Sequence, residues 1–71
     1  MYHRLRALRE DRDLNQTEVA RLLHVSQTTY SRYENGALDI PSATLIALAE
    51  FYQVSVDYLL GLTEDPRPYR T

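Results

Sequence analysis

The stretch from Gln16 to Asn35, QTEVARLLHVSQTTYSRYEN, reads as two short helices joined by a tight turn. Val19 and Leu23 recur at helical spacing with Ala20 beside the first, and Val25, Tyr30 and Tyr33 supply apolar contacts from the following segment. Two helices can close on one core here. Ala20 carries nothing beyond its Cβ, so the second helix can cross the first steeply without a clash. Ser26 places a side-chain oxygen just ahead of the second helix, where it can accept from the exposed N–H groups of that first turn. Asn35 and Gly36 follow the last apolar position, Tyr33, as expected where a helix ends in a left-handed residue.

Upstream, the pattern predicts a first helix from Tyr2 to about Arg12, with Leu5 and Leu8 inward and the arginines mostly facing solvent. Leu14 begins the turn into the second helix. The alternation Arg9, Glu10, Asp11, Arg12, Asp13 reads as a solvated face. Downstream, Ser42 follows Ile40-Pro41 and is placed to cap a fourth helix from Ala43 to about Tyr52, whose apolar stripe is Leu45, Leu48, Ala49 and Tyr52. Ser55 is placed to cap a fifth, with Val54 and Leu59 spaced as a hydrophobic staple, Asp57 favourable in its first turn and Gly61 at its end. The fold class is therefore all-α, a compact bundle of five short helices over residues 1–62. Thr63 to Thr71, with two prolines among charged residues, is expected as an extended C-terminal tail.

At 71 residues there is room for one small domain, and no fused sensor or catalytic domain is expected. With no cysteine, neither a disulfide framework nor a thiolate metal site can stabilise the fold, so packing must do it. No apolar run approaches a membrane span, and MYHRLRALRE lacks the apolar core of a signal peptide, so a cytoplasmic protein with no membrane partner is expected. His3 and His24 are the only histidines and stand beside no nucleophile or metal-ligand set. No catalytic residue, metal or cofactor is expected.

The LRALRE start, Leu14-Asn15-Gln16 opening the second helix, VSQTTYSRYENG across the third, and Ala43 to Leu60 running into VSVDYLLGLT together resemble the lambda-repressor-like family, the Cro and phage-repressor type also called the xenobiotic-response-element type. The resemblance covers most of the chain and implies a helix-turn-helix at the second and third helices. It further implies a sequence-specific transcriptional regulator of double-stranded DNA, a repressor acting as a homodimer whose third helices enter major grooves ~34 Å apart. It implies an ion pair between Arg9 and Glu34 that fixes the first helix against the third, and phosphate contacts from Gln16 and Asn35. The dimer surface implied lies around the fifth helix and the tail, where Arg67, Tyr69 and Arg70 are candidates.

With Tyr30 and Tyr33 inward, Gln27, Thr28, Ser31 and Arg32 fall on the opposite side of the third helix. Gln27 can offer an acceptor and a donor together to adenine N6 and N7, and Thr28 a hydroxyl and a methyl. Arg32 can fork onto guanine or hold a phosphate, and Ser31 is small enough for close approach. Outside this motif the same residues would read as an ordinary solvated helix face.

Three positions depart from the family pattern. His24 stands where a glycine is usual and is read as a turn residue with positive φ. Tyr30 replaces a branched aliphatic, so its hydroxyl is expected to reach the surface or a partner. The loop from Ala37 to Ile40 carries Asp39 and no basic residue, which removes phosphate contacts and lessens salt dependence. The formal net charge of -2 is likewise unusual for a phosphate binder, although a face rather than the whole protein meets DNA. The acidic balance motivates an alternative, a protein-interaction module of the same fold that grips a protein partner through Tyr2, Phe51, Tyr58 and Tyr69.

Overall fold

The computed structural model describes residues 3–68. It is all-α, with α1 (His3–Asp11), α2 (Gln16–Leu23), α3 (Gln27–Asn35), α4 (Ser42–Tyr52) and α5 (Val56–Leu60) in chain order. The expected start of α1 at Tyr2 lies outside the described residues.

Each helix boundary has a local cause. Asn15 opens α2 with a capping box: its Oδ1 accepts from the Glu18 amide at 2.8 Å, and the Asn15 amide donates back to Glu18 Oε1 at 2.9 Å. Ser26 and Ser55 cap α3 and α5 by accepting from the amides of Thr29 and Tyr58. His24 takes the left-handed conformation at φ 61°, as do Gly36 and Gly61 at the ends of α3 and α5. Ser42, by contrast, does not cap α4. Pro41 occupies the N-cap position in extended conformation, without a side-chain cap, and its carbonyl accepts from Leu45 N at 3.0 Å. Ser42 thereby becomes the first helical residue, one position too late to face the free amides.

Packing joins α2 to α3, α4 to α5, and α1 to both α3 and α5. The core is Leu5 from α1, Val19 and Ala20 from α2, Tyr30 and Tyr33 from α3, and Leu48, Ala49, Tyr52, Val54 and Leu59 from the second half, with Ile40 closing it from the loop. Ala20 is almost fully buried at the α2–α3 crossing, as its small side chain requires. Each large apolar side chain enclosed in this way contributes roughly 1.5–3 kcal/mol.

Arg4 of α1 and Arg12, just past its end, make tertiary contacts that the reading of a solvated face did not include. Arg12 Nη1 and Nη2 donate to the carbonyls of Phe51 and Tyr52 at 3.2 and 3.1 Å, satisfying the last turn of α4 with a cation where the helix dipole favours one. Arg4 lies 4.1 Å from the centroid of the Tyr58 ring and donates to the carbonyls of Tyr58 and Thr63. Residues 63–68 form no helix, but they do not run free of the domain: the Ser55 amide donates to the Pro66 carbonyl at 3.0 Å.

Candidate nucleic-acid interface

The third helix is pinned from inside by two tyrosines. Tyr30 is fully buried and Tyr33 nearly so, their rings meeting edge to face with centroids 6.4 Å apart. Four residues of the opposite side then share a surface: Gln27, Thr28 and Arg32 are exposed and Ser31 is half-buried. Gln16 at the start of α2 is half-buried, and Asn35 at the end of α3 is exposed. Asn35 Oδ1 accepts from the Ala37 amide at 2.9 Å, so part of its capacity goes to shaping the turn after α3.

Beneath this surface lies a charged centre. Arg9 Nε and Nη2 donate to Glu34 Oε2 and Oε1 at 2.7 and 3.2 Å, a two-point contact, while Arg9 Nη1 donates to the Leu14 carbonyl at 3.0 Å. The two side chains are only 11% and 6% exposed. Burial acts to raise the Glu34 pKa, but hydrogen bonds from Arg9, with help from the nearby Tyr30 phenol and Gln16, outweigh it and hold the carboxyl below the usual glutamate range.

Tyr30 departs from the expectation that its hydroxyl reaches the surface. The whole side chain is enclosed, and its hydroxyl and that of Tyr52 meet no partner at hydrogen-bond geometry among the described residues. Burial, reinforced by the Glu34 carboxylate, pushes the Tyr30 phenol far above its usual range, so it stays neutral. A tyrosine is accommodated where an aliphatic is usual because the ring adds buried area that offsets an imperfectly satisfied hydroxyl.

The charged centre continues to the surface. Gln16 Nε2 donates to Glu34 Oε1 at 3.2 Å, and Gln27 Nε2 donates to Gln16 Oε1 at 2.8 Å. Nothing in the sequence spacing marks this link, because it depends on how α2 and α3 cross. The arginines are distributed unevenly around it. Arg4, Arg6, Arg9, Arg12 and Arg67 all engage carbonyls, carboxylates or rings, whereas Arg21 on α2 and Arg32 on α3 are exposed and have no acidic partner among the described residues. Of the aromatics proposed to grip a protein partner, Phe51 and Tyr58 are half-buried against the core, and Tyr2 and Tyr69 lie outside the described residues, as does Arg70. The described residues hold no histidine or carboxylate group arranged for a metal ion and no helix long and apolar enough to cross a membrane.

A buried-faced α3 set against α2 across a short turn, with a polar outer face, is the arrangement that defines a helix-turn-helix unit. A helix-turn-helix family model matches residues 5–59, and the chain belongs to the lambda-repressor-like helix-turn-helix family. Among curated relatives, the uncharacterized HTH-type transcriptional regulator YobD of Bacillus subtilis (strain 168) is 42% identical over 65 residues, covering 92% of this chain and 58% of the relative. The cryptic phage CTXphi transcriptional repressor RstR of Vibrio cholerae is 41% identical over 61 residues, covering 86% and 55%. The HTH-type transcriptional regulator ImmR of Bacillus subtilis (strain 168) is 38% identical over 61 residues, covering 86% and 48%. The chain thus spans about half the length of the curated relatives it matches. All three are named as transcriptional regulators or repressors. No solved structure matches the chain significantly.

Proposed function

We propose that this chain is a sequence-specific double-stranded DNA-binding transcriptional regulator, a repressor that reads the major groove with α3 as a homodimer. The observation that carries this reading is the two-sided α3: Tyr30 and Tyr33 lock one side into the core while Gln27, Thr28 and Arg32 stand exposed on the other. Gln27, Thr28, Ser31 and Arg32 are assigned to base edges, and Gln16 and Asn35 to backbone phosphates. The guanidinium group of Arg32 gives this face positive charge that the net charge of -2 conceals. The relatives named as regulators and as a phage repressor support the same reading. Residues 1–62 are proposed as the DNA-binding unit and 63–71 as its tail.

The test is selection of bound duplexes from a random-sequence pool, followed by sequencing, at two salt concentrations. A palindromic site with two half-sites about one helical turn apart is expected, with affinity falling as salt rises. The double variant Gln27→Ala, Arg32→Ala is expected to lose the selected preference, since each two-point base contact is worth roughly 1–3 kcal/mol. Unchanged selection by that variant would show that these residues do not read the site.

A further inference from the structure

Tyr30 and Tyr52 are the two largest side chains that the fold encloses completely. The backbone of α3 packs closely on α1 and α2 but not on α4, so contact between α3 and α4 falls to long side chains of the shared core. Each tyrosine brings a hydroxyl that stands short of hydrogen-bond geometry, and a buried hydroxyl without a partner is costly. The two phenols act on each other and both feel the Glu34 carboxylate, so the three groups lie together. Glu34 has room for one more donor. A carboxylate offers about four acceptor positions, of which Arg9 Nε takes one on Oε2, and Arg9 Nη2 and Gln16 Nε2 take both on Oε1. Tyr30 precedes Glu34 by four residues on the same helix, so the glutamate side chain leans back over the tyrosine. A carboxylate cannot donate, so the Tyr30 hydrogen must be the one directed at it. That leaves the Tyr30 oxygen as an acceptor, and the donor on offer is the Tyr52 hydroxyl.

We propose that Tyr52, Tyr30 and Glu34 form an ordered hydroxyl relay, from the Tyr52 hydroxyl to the Tyr30 hydroxyl to the remaining position on Glu34 Oε2, through which α4 fixes the seat of α3. The hydroxyl hydrogens turn about their C–O bonds, so the chain closes with a slight approach of the oxygens. Tyr30 and Tyr52 are positioning residues. They touch no ligand and set the inclination at which α3 presents Gln27, Thr28 and Arg32. Arg9 holds the Glu34 end from α1, and Tyr52 holds the other end from α4. The relay is a property of the core and stands apart from what the outer face of α3 binds.

The test uses Tyr30→Phe, Tyr52→Phe and the double variant of the full chain, each of which keeps the buried ring and removes only a hydroxyl. In urea denaturation, Tyr52→Phe is expected to lower the folding equilibrium constant roughly fivefold. In the Tyr30→Phe background the same substitution should cost nothing or stabilise, because the Tyr52 hydroxyl has already lost its acceptor. By NMR, two tyrosine hydroxyl protons in slow exchange with water are expected in the parent. Both should vanish in Tyr30→Phe, and that of Tyr30 should persist in Tyr52→Phe. The Glu34 carboxyl, followed by carbon-13 shift, should titrate at higher pH in Tyr30→Phe than in the parent, since it has lost one donor. Should Tyr30→Phe fail to fold, the hydroxyl-proton spectra of the parent and Tyr52→Phe decide alone. Two independent hydroxyls give a different result: additive effects of the two substitutions, or a Tyr52→Phe that is neutral or stabilising in the parent. Either result, or hydroxyl protons exchanging too fast to be seen, overturns the relay and leaves the reading of α3 as a DNA-binding helix untouched.

Discussion

The turn between α2 and α3 and the turn between α4 and α5 are built alike and used differently. In the first, His24 is left-handed at φ 61°, the Val25 amide donates to the Ala20 carbonyl at 3.0 Å, and Ser26 caps the next helix. In the second, Gln53 is left-handed at φ 57°, the Val54 amide donates to the Ala49 carbonyl at 2.9 Å, and Ser55 caps. Both alanines are buried. Beyond the serines the resemblance stops. Ser26 is exposed and opens a nine-residue helix whose first residues, Gln27 and Thr28, face solvent. Ser55 is 3% exposed, opens a five-residue helix, and has its amide taken by the Pro66 carbonyl of the tail. The same turn chemistry therefore joins helices in both places, and only what surrounds it leaves one free to meet a ligand. The turn alone does not distinguish a helix-turn-helix; the open face of its second helix does.

The largest expected difference between the halves comes from removing the charge under the first. Arg9→Met strands Glu34 in the α2–α3 half and is expected to cost about 3 kcal/mol, read as a lowered urea midpoint. Nothing comparable is available in the α4–α5 half, where Arg12 meets carbonyls that water can serve instead, so Arg12→Met should cost well under half as much. Equal losses would break the contrast.

Removing the caps sharpens it. Ser26→Ala is expected to lose about 1 kcal/mol and Ser55→Ala up to about 2, because the Ser55 site is closed to a replacing water. The reverse order in chemical denaturation would mean that the buried turn is the more adaptable of the two.

The left-handed residues should respond alike, since their strain is local. His24→Gly and Gln53→Gly are each expected to gain roughly 0.5 kcal/mol, as glycine relieves the Cβ clash at positive φ and returns part of the gain as entropy. A thermal-melting difference between them would show that one side chain does more than turn the chain.

The smallest effect is a pH dependence confined to the first half. Glu34 titrates below its ordinary value in the folded state, so its contribution is fully present above the ordinary glutamate range and is lost as pH falls through the depressed value. Asp65, held down to about 2 mainly by hydrogen bonds from Arg67, titrates in the same sense, so the measurement uses an Asp65→Asn background. There, denaturation midpoints followed from neutral to acid pH should fall less steeply for Glu34→Gln than for its parent.

Legibility followed distance along the chain. Ser26, His24, Gly36, Ser55 and Gly61 act on residues within one turn of themselves, and their roles could be read from residue type and position. Asn15 and Glu18 carried the capping-box signature just as plainly, three residues apart, behind the more conspicuous apolar pattern of α2. Ser42 misled because a serine before an apolar run resembles a cap, while Pro41, with φ already fixed, took that place. The arginines in and just after α1 have three different fates that their sequence does not separate: Arg6 pairs with Glu10 on the surface, Arg9 is buried against α3, and Arg12 serves α4.

The sequence by itself determined five helices, most of their ends and the side of α3 that turns inward, because caps, left-handed turns and apolar spacing are interactions among near neighbours. Tertiary structure alone decided that Glu34 is shielded from water, that Gln16 and Gln27 touch, and that the tail covers one helix start and leaves the other open. Those outcomes join residues 11 to 25 positions apart or more, and a contact at that range exists only once helices have crossed at a particular angle and excluded the solvent between them.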